Sequence, residues 1–388
     1  MDAVIFTAWF RVAVLCACTL AGAAQAAPLP ALKIDAGAVT VSGLSSGGYM
    51  AVQLHVAWSS VFKGAGVVAA GPYYCAQGLV ALATTRCLSR SSAPPVEALV
   101  TTAKSWAAID AIDATSHLHA SRVYLFAGSK DSVVAPALVS DLKRFYEAFV
   151  PSAQIVYRTD VPAEHGMPTD DFGSACAFKG KPFINDCDVD VAGDLLKHLV
   201  GALAPRNDGT LRGRLVSFDQ LDFVADDRGT GAKGWLFVPA DCSAASTPCR
   251  LHVALHGCLQ NLDAVGEDFV RRAGYNRWAD SNRIVVLYPQ TSAAATNGCW
   301  DWWGTTGIDY AQRSGAQLGA IVAMVERLAG TTPRCTEALN GWHAWGGRAV
   351  WSGIGSVSAR GSGQKLGWWW QSTSLRESPR GHFVKGTC

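Results

Sequence analysis

The stretch from Val41 to Met50, VSGLSSGGYM, sets three serines among glycines, and only Ser45 has glycine two residues away on both sides, at Gly43 and Gly47. Ser42 and Ser46 lack that spacing. A nucleophilic serine on a sharp strand-to-helix turn needs such neighbours, because larger side chains would collide with the flanking backbone. A serine hydroxyl is a weak nucleophile at neutral pH and needs a base that is itself oriented by an acid. Asp131, in FAGSKDSVV, stands just past an apolar strand pattern, where such an acid belongs; its bland alternative is a cap on the following helix. His165, in VPAEHGMPTDD, sits on a loop containing glycine and proline and is free to reach Ser45. His55 and His198 fall within predicted helices, where packing explains them. The chain order of serine, acid and histidine is that of the sheet hydrolases.

Acyl transfer also needs donors for the charge that develops on the attacked carbonyl oxygen. Ser46, directly after the nucleophile, supplies one candidate backbone N–H. Cys258 supplies the other, since His256-Gly257-Cys258 ends the apolar strand CRLHVALHG. His252 and His256 are four residues apart and share one face of that strand, but no third ligand accompanies them. No metal and no cofactor is expected.

These residues require elements to hold them. AVTVSG is a strand that runs into the glycine turn, and Met50, Leu54 and Trp58 follow at helical spacing. Strands at GAGVVAAG, RVYLFAG and QIVYRT then alternate with helices at VEALVTTAKSWAAI and PALVSDLKRFYEAFV. After the polar segment APRNDGTLRGR the chain resumes with LVSFDQLDFV, the strands CRLHVALHG and RIVVLYPQ, and helices at AGYNRWADSN and GAQLGAIVAMVERLAG. Such alternation predicts an α/β fold, a mostly parallel sheet with helices on both faces. In an α/β-hydrolase the oxyanion strand precedes the nucleophile, whereas here it follows, so the order reads as circularly permuted. We expect one catalytic domain over residues 27–388, with a nucleophile half near 37–200, an oxyanion half near 211–361 and a Trp-rich tail.

The first 26 residues read as a secretory signal, with Arg11, the apolar run VAVLCACTLAGAA and the small-x-small pattern Ala24-Gln25-Ala26. Export outside the cell or into a periplasm is therefore expected. Hydrophobic residues make up 49% and charged residues 16%, with a net charge of +2, which points to neither nucleic acid nor an anionic membrane as partner. No later apolar run is long enough to span a bilayer. Of the 12 cysteines, Cys16 and Cys18 lie in the leader; the even number remaining in an exported chain implies disulfides. Proximity suggests Cys75 with Cys87, Cys176 with Cys187 and Cys242 with Cys249. It leaves Cys258, Cys299, Cys335 and Cys388 open.

GLSSGGYMAVQLHVAWS, AGPYYC, FAGSKDSVV, EHGMPTD, LHGC and CWDWWG together resemble the secreted poly(3-hydroxybutyrate) depolymerases of the circularly permuted, single-domain type, within the α/β-hydrolase esterases. The resemblance runs from Val41 to about Gly361. It implies Ser45 as nucleophile, Asp131 as acid, His165 as base, and the amides of Ser46 and Cys258 as the oxyanion hole. It also favours pairing Cys258 with Cys299, which leaves Cys335 for Cys388. The tail departs from the pattern: GWHAWGGRAVW differs from the more usual Asn-x-x-His-x-x-Ala-Gly-Arg-Ala form, and QKLGWWWQSTSLRESPRG has no assignment.

The implied activity is ester hydrolysis through an acyl-enzyme on a solid or oligomeric aliphatic polyester, by a monomer. A small-ester or feruloyl-type carboxylesterase is the alternative reading, and a non-catalytic surface-binding protein a more remote one. Tryptophan clusters bear on the substrate. Trp302 and Trp303 lie in CWDWWG, and Trp368, Trp369 and Trp370 are consecutive, so they cannot all face one way on a regular strand. Exposed, they would suit adsorption to an apolar solid; buried, they would be core.

Overall fold

The computed structural model describes residues 27–224, 229–243, 247–330, 335–377 and 383–386. The expected leader, residues 1–26, lies outside them.

Strands β1 (Ile34–Leu44), β2 (Phe62–Val68), β3 (Arg122–Phe126) and β4 (Ile155–Arg158) come from the first half. The short strands β5 (Met167–Thr169), β6 (Ser174–Ala175) and β7 (Ile184–Asp186) make a small three-stranded sheet of their own. The second half supplies β8 (Arg214–Asp219), β9 (Lys233–Val238), β10 (Cys249–Leu255) and β11 (Ile284–Tyr288). The central sheet has eight strands in the order β4-β3-β2-β1-β10-β11-β9-β8. Pairing is parallel from β4 to β11, and β9 and β8 join antiparallel at one edge.

Alternate residues of each strand feed opposite faces, as the two-residue period of a strand requires. Val39, Val41, Val67, Leu125, Leu251 and Val253 pack on one side, under α1 (Ser46–Ala57), α3 (Val96–Ala108), α4 (Pro136–Glu147) and the helix Ala316–Leu328. Short α2 (Val80–Thr85) precedes α3. Leu44, Val68, Phe126, Ala254 and Val286 pack on the other side, under α5 (Val191–Val200) and the helix Tyr275–Asn282. With both faces covered, the parallel strands read as continuous apolar runs.

At the antiparallel edge of the central sheet, two elements differ from the sequence expectation. Only the first part of LVSFDQLDFV is a strand; Leu221–Phe223 turns into a 3-10 helix once Asp219 Oδ1 accepts the Leu221 N–H at 2.8 Å. The strand Lys233–Val238 was not anticipated, and it gives the sheet its antiparallel edge.

The end of the expected oxyanion half and the expected tail together form two small sheets. Strands Ala349–Trp351, Ser356–Ala359 and Lys365–Trp368 make one three-stranded antiparallel sheet, and Cys335–Leu339, Ser372–Glu377 and Phe383–Lys385 make another. Ala349, Val357, Ala359, Leu366, Leu375 and Phe383 form a core of their own between them.

Candidate active site

Ser45 sits where β1 meets α1, with φ 56° and ψ −121°, the left-handed backbone of a strained turn. The glycines around it are required by close approach. A Cβ on Gly43 would fall 2.2 Å from the Gly47 carbonyl oxygen, and one on Gly47 would fall 2.4 Å from the carbonyl oxygens of Leu255 and His256. The Ser45 N–H donates to Val68 O at 2.9 Å, tying the turn to β2. α1 begins directly after Ser45, at Ser46.

The neighbouring serines are committed elsewhere. Ser42 is buried, and its Oγ bonds both His252 Nε2 and the Tyr275 hydroxyl at 2.7 Å. Ser46 Oγ accepts the Trp300 N–H at 3.3 Å.

Asp131 and His165 meet across the ends of β3 and β4. His165 Nδ1 donates to Asp131 Oδ2 at 2.8 Å, and both side chains are buried. Asp131 Oδ1 accepts the N–H groups of Val133 and Val134, each at 2.8 Å. Asp131 does not cap the following helix, whose N-cap Ala135 has no side-chain cap bond; one oxygen holds the turn before that helix and the other meets the histidine. Nδ1–H is fixed on the carboxylate, so Nε2 is left as the basic atom.

Ser45, His165 and Cys258 line one cavity of about 470 Å³. Its wall is mostly apolar, with Leu88, Phe183, Trp302 and Trp303. Cys258 is held there from several directions. It is disulfide-bonded to Cys299, its neighbour Gly257 donates N–H to Gln260 Oε1 at 2.8 Å, and Leu259 N–H reaches Asn297 O at 2.8 Å. The amide of Gln260 in turn donates to the carbonyls of Pro182 and Phe183, at 3.0 and 2.9 Å. Sequence reasoning missed this Gln260 brace.

His252, on β10, and His256, just past its end, both have their ring nitrogens occupied. His252 bonds Thr40 Oγ1 at 2.8 Å in addition to Ser42, and burial lowers its pKa to about 3. His256 donates from Nδ1 to Gly257 O at 2.7 Å and accepts the Thr291 N–H on Nε2 at 3.2 Å, with burial lowering its pKa to about 4. Neither is free to ligate a metal.

The expected aromatic residues divide. Trp302 is buried and stacked on Tyr49, with ring centroids 4.2 Å apart, and Trp303 meets it edge-on at 5.1 Å. Asp301 shapes this loop: its carboxylate accepts the N–H groups of Trp303, Gly304, Thr305 and Thr306. Trp368, Trp369 and Trp370 lie apart from the cavity, on the C-terminal sheets, exposed at 49%, 49% and 54%. The rings of Trp368 and Trp370 stack at 5.1 Å.

Disulfides join Cys75 with Cys87, Cys176 with Cys187, Cys242 with Cys249 and Cys258 with Cys299. Cys335 is also disulfide-bonded, and the expected partner Cys388 lies outside the described residues. Among the described residues no helix is long and apolar enough to cross a membrane.

The chain is 48% identical over 363 residues to a poly(3-hydroxybutyrate) depolymerase of Delftia acidovorans, spanning 92% of this chain and 72% of that one. It is 40% identical over 326 residues to a polyhydroxybutyrate depolymerase of Talaromyces funiculosus, spanning 79% of this chain and 94% of the other. It belongs to the poly(3-hydroxybutyrate) depolymerase family. No family model matches it. The crystal structure of a PHB depolymerase from Penicillium funiculosum superposes with a TM-score of 0.73 at 38% identity, covering 78% of this chain and 99% of that one. A PHB depolymerase complexed with an R3HB trimer matches equally, with a TM-score of 0.73 at 37% identity. The fold is therefore that of the α/β-hydrolase depolymerases. Nearly all of the neighbouring depolymerase is matched, yet about a fifth of this chain lies beyond it.

Proposed function

We propose that the chain is a secreted serine esterase that hydrolyses poly(3-hydroxybutyrate) or a related aliphatic polyester, with Ser45 as nucleophile, His165 as base and Asp131 as its orienting acid. The observation that carries this reading is the bond from His165 Nδ1 to Asp131 Oδ2, in an apolar cavity that Ser45 also lines. An ester carbonyl lying between Ser45 and the amides of Ser46 and Cys258 is attacked by Ser45 Oγ as His165 Nε2 takes its proton. The oxyanion is stabilised by the two N–H groups, and collapse expels the alcohol end of the polymer, protonated by His165. Water then attacks the acyl-enzyme, again giving its proton to His165, and a shortened chain with a free carboxylate leaves.

The strand order favours a circularly permuted hydrolase, since β10, which carries the oxyanion loop, lies beside β1 but follows it in sequence. We take Trp302 and Trp303 as walls of the crevice, and Trp368, Trp369 and Trp370 as part of a surface that adsorbs the solid substrate. The disulfides and the leader pattern favour export. The enzyme is taken to act as a monomer.

Two assays run together test the reading. A fluorophosphonate probe should label the wild type and Ser46→Ala but not Ser45→Ala, and a poly(3-hydroxybutyrate) film should be cleared by the wild type. Labelling that survives in Ser45→Ala overturns the site. Hydrolysis of soluble esters without film clearance would move the chain to the carboxylesterases, and absence of labelling to the non-catalytic binders.

A further inference from the structure

Two loops have to be held in register for Asp131 to meet His165, and the backbone joins them only up to one step short of the pair. Ser129 N–H donates to Val161 O at 2.9 Å and Lys130 N–H to Ala163 O at 3.2 Å. At Gly128 the loops touch so closely that a Cβ would lie 2.4 Å from Ala163 O. Beyond Lys130 and Ala163 no backbone bond crosses between these two loops among those of the described residues. What crosses there, besides the Asp131–His165 bond itself, is the Glu164 side chain. Glu164 Oε1 accepts the Ser132 N–H at 2.8 Å, the Ser132 hydroxyl at 3.1 Å and the His165 N–H at 2.8 Å. Lys179, on the cavity wall, donates to Ser132 Oγ at 2.9 Å and braces the acceptor's far side.

We propose that Glu164 is a positioning residue for the reaction: its carboxylate clamps the residue after the acid to the base, and so sets the Asp131–His165 bond. This rests on the assignment of Asp131 and His165 made above. The carboxyl suits the role. Burial alone would raise its pKa, but the donors from Ser132 and His165, with Lys179 nearby, hold it below the usual carboxylate range, so it is a full acceptor at neutral pH. The anchored orientation matters because catalysis depends steeply on the placement of reacting groups, a shift of about 1 Å costing on the order of 100-fold.

Kinetics on a soluble ester, with melting temperatures alongside, test the clamp. Glu164→Ala should lower kcat by about 10- to 100-fold with KM nearly unchanged, and Glu164→Gln, which keeps the acceptor oxygen, should recover most of it. In an Asp131→Ala background, removing Glu164 should cost almost nothing further, because there is no acid left to place. A Glu164→Ala variant that only melts earlier, with kcat intact well below its melting temperature, overturns the proposal. So does an undiminished loss in the Asp131→Ala background, or a Glu164→Gln variant as poor as the alanine one. Failure of the film assay alone would remove the polyester reading and leave this test standing.

Discussion

At the residue scale, the proposed chemistry depends on which ring nitrogen of His165 carries the proton. Asp131 Oδ2 accepts from Nδ1, and Asp131 Oδ1 is already saturated by two backbone N–H groups. Asp131→Asn keeps the shape but offers an amide that favours the opposite tautomer. Turnover of a soluble ester by this variant should drop about 10,000-fold while its melting temperature stays close to the wild type. These residues were legible because each carries a local signature: glycines around Ser45, a strand end before Asp131, a loop around His165. Glu164 was not, although EHG was in view, because its role is defined only by a partner 32 residues earlier in the chain, Ser132. No spacing rule marks a carboxylate that accepts from another loop.

At the scale of elements, β10 carries one buried histidine, His252, and a second, His256, follows it directly; the neutral form of both is part of the fold. Their pKa values, about 3 for His252 and about 4 for His256, lie below the ordinary 6.5 expected on unfolding. The unfolded chain therefore binds more protons below pH 6.5. The stability these residues contribute is complete above that pH and is lost as pH falls toward 4 and then 3, at up to about 1.4 kcal/mol per pH unit for each. Urea unfolding between pH 7 and pH 5 should report this slope, and His252→Gln should flatten it. The loop that follows β10 offers a second test. Removing the Cys258–Cys299 bridge opens a loop of 41 residues, which should cost about 4 kcal/mol. On the proposed mechanism it also frees an oxyanion amide, so turnover should fall by up to about 100- to 1000-fold, read in Cys258→Ser with Cys299→Ser together. The strands flanking these features were legible as long apolar runs. Lys233–Val238 was missed because KGWLFV sits outside the strand–helix alternation, next to segments rich in glycine and charge. The C-terminal sheets were illegible for a different reason. Their strands are three to six residues long and separated by glycines, too short for a two-residue period to emerge.

At the scale of the whole molecule, the chain carries beside its central sheet a pair of small C-terminal sheets, with a small core and exposed tryptophans. If those rings hold the polymer, replacing Trp368, Trp369 and Trp370 with alanine should weaken film binding and film clearance. Soluble turnover and melting temperature should be unchanged, since rings this exposed leave no cavity behind. Trp302→Ala is the contrasting variant. It is buried against Tyr49, so its loss should cost about 3 to 5 kcal/mol and depress every activity together. Parallel losses from both sets would remove the adsorption reading.

The place of β1 in the sheet also governs when the enzyme can first exist. Its partner on one side is β2, made soon afterwards, but its partner on the other is β10, and bonds such as Thr40 to His252 close over 212 residues. Until β10 is made, the strand that ends at Ser45 has one open edge and lacks the loop that carries Cys258. Non-local pairing of this kind is slow to form and exposes apolar edges in the interval. On the proposed mechanism the order of synthesis acts as a timing device: a chain ending before β10 holds Ser45, Asp131 and His165 but lacks the strand beside β1 and the Cys258 amide, so hydrolytic activity should arrive only once the second half of the sheet is made.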